Sequence, residues 1–115
     1  MRRWLPVLLW PCAALALTPA AQEFIDISAK LEPVQCEKRQ LRRAIVLAEV
    51  ERRDADLKQM RARFEEINAD PETARLEKRL AVLEARLIDS RGRARHPEDL
   101  DAISFQQRQA FYRCD

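Results

Sequence analysis

The sequence predicts an all-α protein: an antiparallel, coiled-coil-like helical hairpin, with a long first helix packed against a broken return arm of two helices and closed by a disulfide. Three observations predict it. The 115-residue chain holds a single glycine and is 35% charged and 47% apolar, a composition that favours long helices over sheets. Two stretches carry apolar residues at alternating steps of three and four, on either side of the stop-and-restart signal NADPET. Finally, Cys36 and Cys114 stand at the two ends of that helical region.

The opening stretch MRRWLPVLLWPCAALAL carries Arg2 and Arg3 before an apolar run, and small residues come next in TPAAQ. This is the pattern of a secretory signal peptide, with a cut expected after Ala20 or Ala21. A membrane anchor needs about 20 apolar residues, and this shorter run is interrupted by Pro6 and Pro11. Cys12 as a lipid-bearing residue is disfavoured by Trp10 and Pro11 just before it, and the arginine pair lacks the rest of a twin-arginine signature. The expected organisation is therefore residues 1–21 as a cleaved signal, 22–33 as an N-terminal arm and 34–115 as the hairpin domain. No transmembrane helix is expected after cleavage, and the expected location is periplasmic or secreted.

Cleavage changes the electrostatic balance. Losing Arg2 and Arg3 leaves 19 of the 21 basic side chains against 19 acidic ones, so the mature chain is formally neutral. Cys12 and both tryptophans leave as well. Cys36 and Cys114 remain in a compartment that favours disulfides.

In the arm, Phe24, Ile27 and Leu31 have helical spacing, yet Phe24 to Ile27 also suits a short extended stretch, and Pro33 separates the arm from the helical region after it. From about Val34 to Asn68 no glycine or proline interrupts a run of good helix formers. Its seam is Leu57, Met60, Phe64 and Ile67. Asp70 then offers a cap, Pro71 a first helical position and Glu72 a favourable charge, so a second helix is expected from Pro71 to about Ser90. That helix has the seam Leu76, Leu80, Leu83 and Leu87. Folding about Asp70 would pair Ile67 with Leu76, Phe64 with Leu80, Met60 with Leu83 and Leu57 with Leu87.

A third helix should run from Pro97 to about Arg113, with Glu98, Asp99 and Asp101 in its opening turns and Leu100, Ile103, Phe111 and Tyr112 as a partial apolar face. Continuing downward beside the first helix, it would cover one side of Ala44 to Ala48, which is apolar all round, leaving the other side to the Phe24 arm or a second subunit, and it would bring Cys114 level with Cys36. An intrachain staple is the simplest reading of the two cysteines; interchain pairing and free thiols are the alternatives. In the chain-entropy model such a closure contributes about 4 to 4.7 kcal/mol, a large sum for a slender core.

Catalysis has little to work with. One glycine excludes glycine-rich phosphate loops, and one histidine leaves no second imidazole for a relay or a zinc cluster. Ser28, Ser90 and Ser104 lack a nucleophile-elbow context. Glu65 and Glu66 are helix neighbours that point apart. Near His96, the acids of HPEDLD read as helix-start residues without a metal. No enzyme activity, no cofactor and no metal are expected.

Binding remains. The expected function is that of an exported helical interaction or scaffold protein whose partner is another envelope protein or a second copy in a homodimer. One alternative is a basic loop, Arg86, Arg91, Arg93 and Arg95, that contacts anionic envelope surfaces such as lipid head groups or lipopolysaccharide. Another is a holdase-type chaperone using the apolar Ala44 to Ala48 stretch. Nucleic acid is not expected, since the mature chain is neutral and no aromatics interleave the arginines.

Overall fold

In the computed structural model, which describes residues 16–114, four helices form in chain order: α1 Pro19–Val50, α2 Asp54–Ala69, α3 Pro71–Leu87 and α4 Pro97–Arg113. The 32 residues of α1 make a rod of about 48 Å at 1.5 Å per residue. Every other helix packs on it. As residue numbers rise through α2 and α3, their partners on α1 fall: Arg61 meets Glu49, Arg63 meets Glu37, and Arg79 meets Glu23. The architecture is thus a long first helix against a broken, antiparallel return arm, and a Cys36–Cys114 disulfide closes it.

The elements that fill these roles differ from those expected. Gln22 to Glu32 is not a separate arm, because α1 runs through it and through Pro33. Magnitudes explain why. An interior proline costs a helix about 3 kcal/mol, whereas burying a large apolar side chain gains about 1.5–3 kcal/mol, and the helix here buries Phe24, Ile27 and Leu31 together. Pro33 itself lies on the exposed side of α1.

The expected helix from Val34 to Asn68 is in fact broken at Glu51 to Arg53, and this is where the hairpin turns. The Arg53 N–H donates to the Ala48 carbonyl at 2.9 Å and the Arg52 N–H to that of Glu49 at 3.3 Å. Arg52 has φ 54°, in the left-handed region. These are the two bonds and the residue conformation of a Schellman motif, with arginine in the place glycine usually takes. Asp54 and Asp56 then stabilise the start of α2.

Asp70, expected as the tip of the hairpin, instead divides its return arm. Its carboxylate accepts from the Thr73 N–H at 2.9 Å and the Thr73 hydroxyl at 3.0 Å, capping α3. Because α3 continues along α1, the four cross-seam pairs expected between α2 and α3 do not form: both seams face α1. Phe64 lies beneath the Lys38 and Arg42 side chains of α1, and Leu76 and Leu83 join Ala21, Phe24, Ile27 and Leu31.

The chain reverses a second time before α4. Asp89 N–H donates to the Arg93 carbonyl at 2.7 Å, an isolated bridge joins Ile88 to Ala94, and Gly92 supplies φ 74°. As a result α4 runs parallel to α1, not antiparallel as expected. Thr18 with Asp99, Ile25 with Gln106 and Glu32 with Arg113 share one sequence offset of 81. Cys114 still arrives level with Cys36, but α4 covers the N-terminal half of α1. Ile103 of α4 completes the core.

Candidate functional site

Two unequal ends result. At one, α1, α3 and α4 enclose the core; at the other, among the described residues, α1 has only α2 for cover. The Ala44 to Ala48 stretch lies at this two-helix end, out of reach of α4. Ala48 is fully buried, and Ala44 and Ile45 are half-buried. Val46, Leu47 and Val50 are 59%, 52% and 75% exposed, respectively. Spaced by one, three and four positions, they occupy one side of the last turns of α1. The rim is polar: Arg43 and Glu49 are exposed, and Glu49 pairs with Arg61 of α2.

Of the expected seam, Ile67, Leu76 and Leu83 are buried, while Leu57, Met60, Phe64, Leu80 and Leu87 are half-buried. These residues therefore hold helices on α1. Cys36 and Cys114 are bonded to one another with Cα atoms 5.5 Å apart.

The four arginines of the basic loop are brought to the three-helix end. Arg86 lies in the last turn of α3, and Asp89 shapes the turn after it by accepting the N–H groups of Arg91 and Arg93 at 2.8 and 2.9 Å. Arg86, Arg91, Arg93 and Arg95 are all exposed, and among the described residues none of them forms an ion pair. By contrast Arg53, Arg61, Arg63, Arg75, Arg79 and Arg113 are each paired with a carboxylate. Those partners respond: Arg79 holds the Glu23 carboxyl below the ordinary range, and Arg113 and Arg63 do the same to Glu32 and Glu37 by hydrogen bonding.

The apolar face expected on α4 is only partly inward. Ile103 is buried, but Leu100, Phe111 and Tyr112 are exposed, as is Phe105. Spacing alone marks an amphipathic side; it does not tell how much of it a neighbour covers. At the start of α1, the buried Asp99 carboxylate accepts from both the N–H and the hydroxyl of Thr18. The expected signal cut falls just beyond Thr18, inside the first turn of α1. Residues 1–15, which carry most of the expected signal, lie outside the described residues.

Among the described residues, no group of three or more His, Cys, Asp or Glu is placed to hold a metal. No helix among them is long and apolar enough to cross a membrane. Fold and surface together define a disulfide-closed, all-α protein built on a single spine helix. Comparison with family models, curated proteins and solved structures finds no match.

Proposed function

We propose that this is an exported, non-enzymatic interaction protein that uses the outer face of α1 at its two-helix end to engage a protein partner, either another envelope protein or a second copy of itself. The observation that carries the reading is the exposure of Val46, Leu47 and Val50 side by side on a helix whose other side is fixed by α2. Adjacent apolar residues on a rigid helix, rimmed by charge, match the make-up of helix-face contacts. Cleavage after Ala20 or Ala21 would take Thr18 from Asp99 but leave Phe24, Ile27 and Leu31 in place.

The test is site-specific photocrosslinking in the producing cell, with the probe at Leu47 and, as a control, at the exposed Gln59 of α2. A discrete adduct from position 47 and none from 59 is expected, and its mass separates a homodimer from a foreign partner. Equal labelling at both positions, or none at 47, would overturn the reading. A second reading, contact with anionic surfaces, is favoured by the four unpaired arginines of the basic loop. It predicts vesicle binding that collapses as salt rises, whereas the helix-face contact persists.

A further inference from the structure

The side of α1 that carries α4 continues beyond the point where α4 stops. Thr18, Ile25, Glu32 and Arg39 touch Asp99, Gln106, Arg113 and Phe111 of α4, respectively. The first four positions step by seven, as do Asp99, Gln106 and Arg113, which is the spacing that keeps two packed helices in contact along one seam. Val46 is the next step. Cys36, bonded to Cys114, stands in the second row of the same seam, and Arg43 and Val50 continue that row. Yet α4 ends at Arg113, level with Glu32 to Cys36, whereas α1 runs on to Val50. That leaves a lane of about 21 Å at 1.5 Å per residue. α2 does not fill it, because it grips the opposite side of α1 at Glu37, Lys38 and Glu49.

The lane is charged as well as apolar. Arg43, about one turn before Val46 and Leu47, is exposed and forms no ion pair among the described residues. Neither do Arg39 and Arg42, whose guanidinium groups lie over the rings of Phe111 and Phe64. The acids beside the apolar residues are already engaged, Glu49 by Arg61 and Glu51 by Arg53. Unbalanced charge along the lane is therefore basic. Two copies laid lane against lane would set these arginines against one another, since a two-fold contact presents the same patch from both sides.

We propose that this lane takes an amphipathic, acidic α-helix of another protein, set end to end with α4. Its apolar residues, at steps of three and four, lie against Val46, Leu47 and Val50, and its carboxylates lie opposite Arg42 and Arg43. Two observations select this occupant. The seven-residue register that seats α4 passes unbroken into the lane, so a helix fits there as α4 fits beside Thr18 to Cys36. The unpaired arginines then require that the helix bring acids, as Glu32 serves Arg113 within the chain. Because α2 and the Cys36–Cys114 bond already hold α1 on either side of the lane, the surface is formed before the partner arrives, which lowers the entropic cost of binding.

This proposal rests on the reading of the α1 face given above and adds the partner's secondary structure and charge. The test titrates amphipathic peptides of about 20 residues, long enough to form helices, into the oxidised, 15N-labelled protein. One carries leucines at alternating steps of three and four flanked by glutamates, the second the same leucines flanked by lysines, and the third the glutamate composition with its leucines shuffled out of register. The glutamate peptide is expected to bind about tenfold more tightly than the lysine peptide and to shift the amide signals of Arg43 to Val50, and the shuffled peptide is expected not to bind. Arg43→Glu should invert the preference between the two charged peptides with the melting temperature unchanged. Equal affinity for them, or shifts confined to other helices, would overturn the proposal. So would displacement of the glutamate peptide by phosphatidylglycerol vesicles, which would assign the lane to a membrane surface, or a dimer of the free protein that Leu47→Glu dissolves, which would assign it to a second copy. A discrete foreign adduct from position 47 in the cell, with no preference among the peptides, would keep the α1 face as a contact and remove the acidic helix from it.

Discussion

At the scale of single residues, stability concentrates in a few side chains. Leu83 is fully buried, between α1 and Ile103 of α4, whereas Leu57 occupies an equivalent seam position but is only half-buried on α2. Leu83→Ala should therefore cost about 2–5 kcal/mol and Leu57→Ala about 1 kcal/mol, as read by chemical denaturation. Carboxylates supply the next contribution. Glu23, Glu32 and Glu37 join α1 to α3, α4 and α2 through Arg79, Arg113 and Arg63, and all three titrate below the ordinary range. With the folded pKa depressed, their stabilisation is complete above the unfolded carboxyl value of about 4.3 and is lost as pH falls through the lower folded values. Melting temperature should fall in that acid window, and by less in high salt, where exposed pairs are already screened. A flat profile would deny these pairs a role. The residue scale was also where the sequence could be read best: Asp70 caps α3 as NADPET implies, and Cys36 meets Cys114. Arg52 was not legible, because nothing in its side chain announces the left-handed conformation that glycine would have signalled.

Each element posed a different difficulty, for periodicity marks an inward face without naming what lies opposite. The steps of three and four through Leu57 to Ile67 and Leu76 to Leu87 located the buried sides of α2 and α3 correctly, and pairing those seams with each other was a natural inference. Burial favoured another solution. Phe24, Ile27 and Leu31 extend α1 through Pro33, giving a rod long enough to serve both seams in turn. The break that makes this possible is the turn at Arg52, which strains a non-glycine residue. Arg52→Gly should relieve that strain and raise stability by about 1 kcal/mol, measured by denaturation with the helical content unchanged. If the substitution destabilises the protein, the turn does not carry the strain its backbone suggests.

On the scale of the whole molecule, chain direction was the least legible feature. Cys114 comes level with Cys36 whether α4 runs up or down, so the cysteines could not discriminate, and the reversal depends on a short turn through Asp89 and Gly92. The parallel arrangement places α4 where it completes the core and leaves the far end of α1 thinly covered. Replacing Cys36 and Cys114 together by serine should cost about 4 kcal/mol in the chain-entropy model. The loss should be uneven. Amide exchange is expected to accelerate first in α4, which the disulfide fastens to α1, and last in α3, which packs in the core. Uniform acceleration would show that the four helices open as one unit.

The same bond also sets how the protein would bear a load. It joins Cys114, just after α4, to the middle of α1 across a sequence separation of 78. Tension between Pro19 and Cys114 would pass along α1 to Cys36 and out through Cys114. α2, α3 and α4 would lie in a closed loop outside the line of force. Pulled from Pro19 and Cys114, the oxidised protein should yield only the stretch of α1 before Cys36, and reduction should release the remainder.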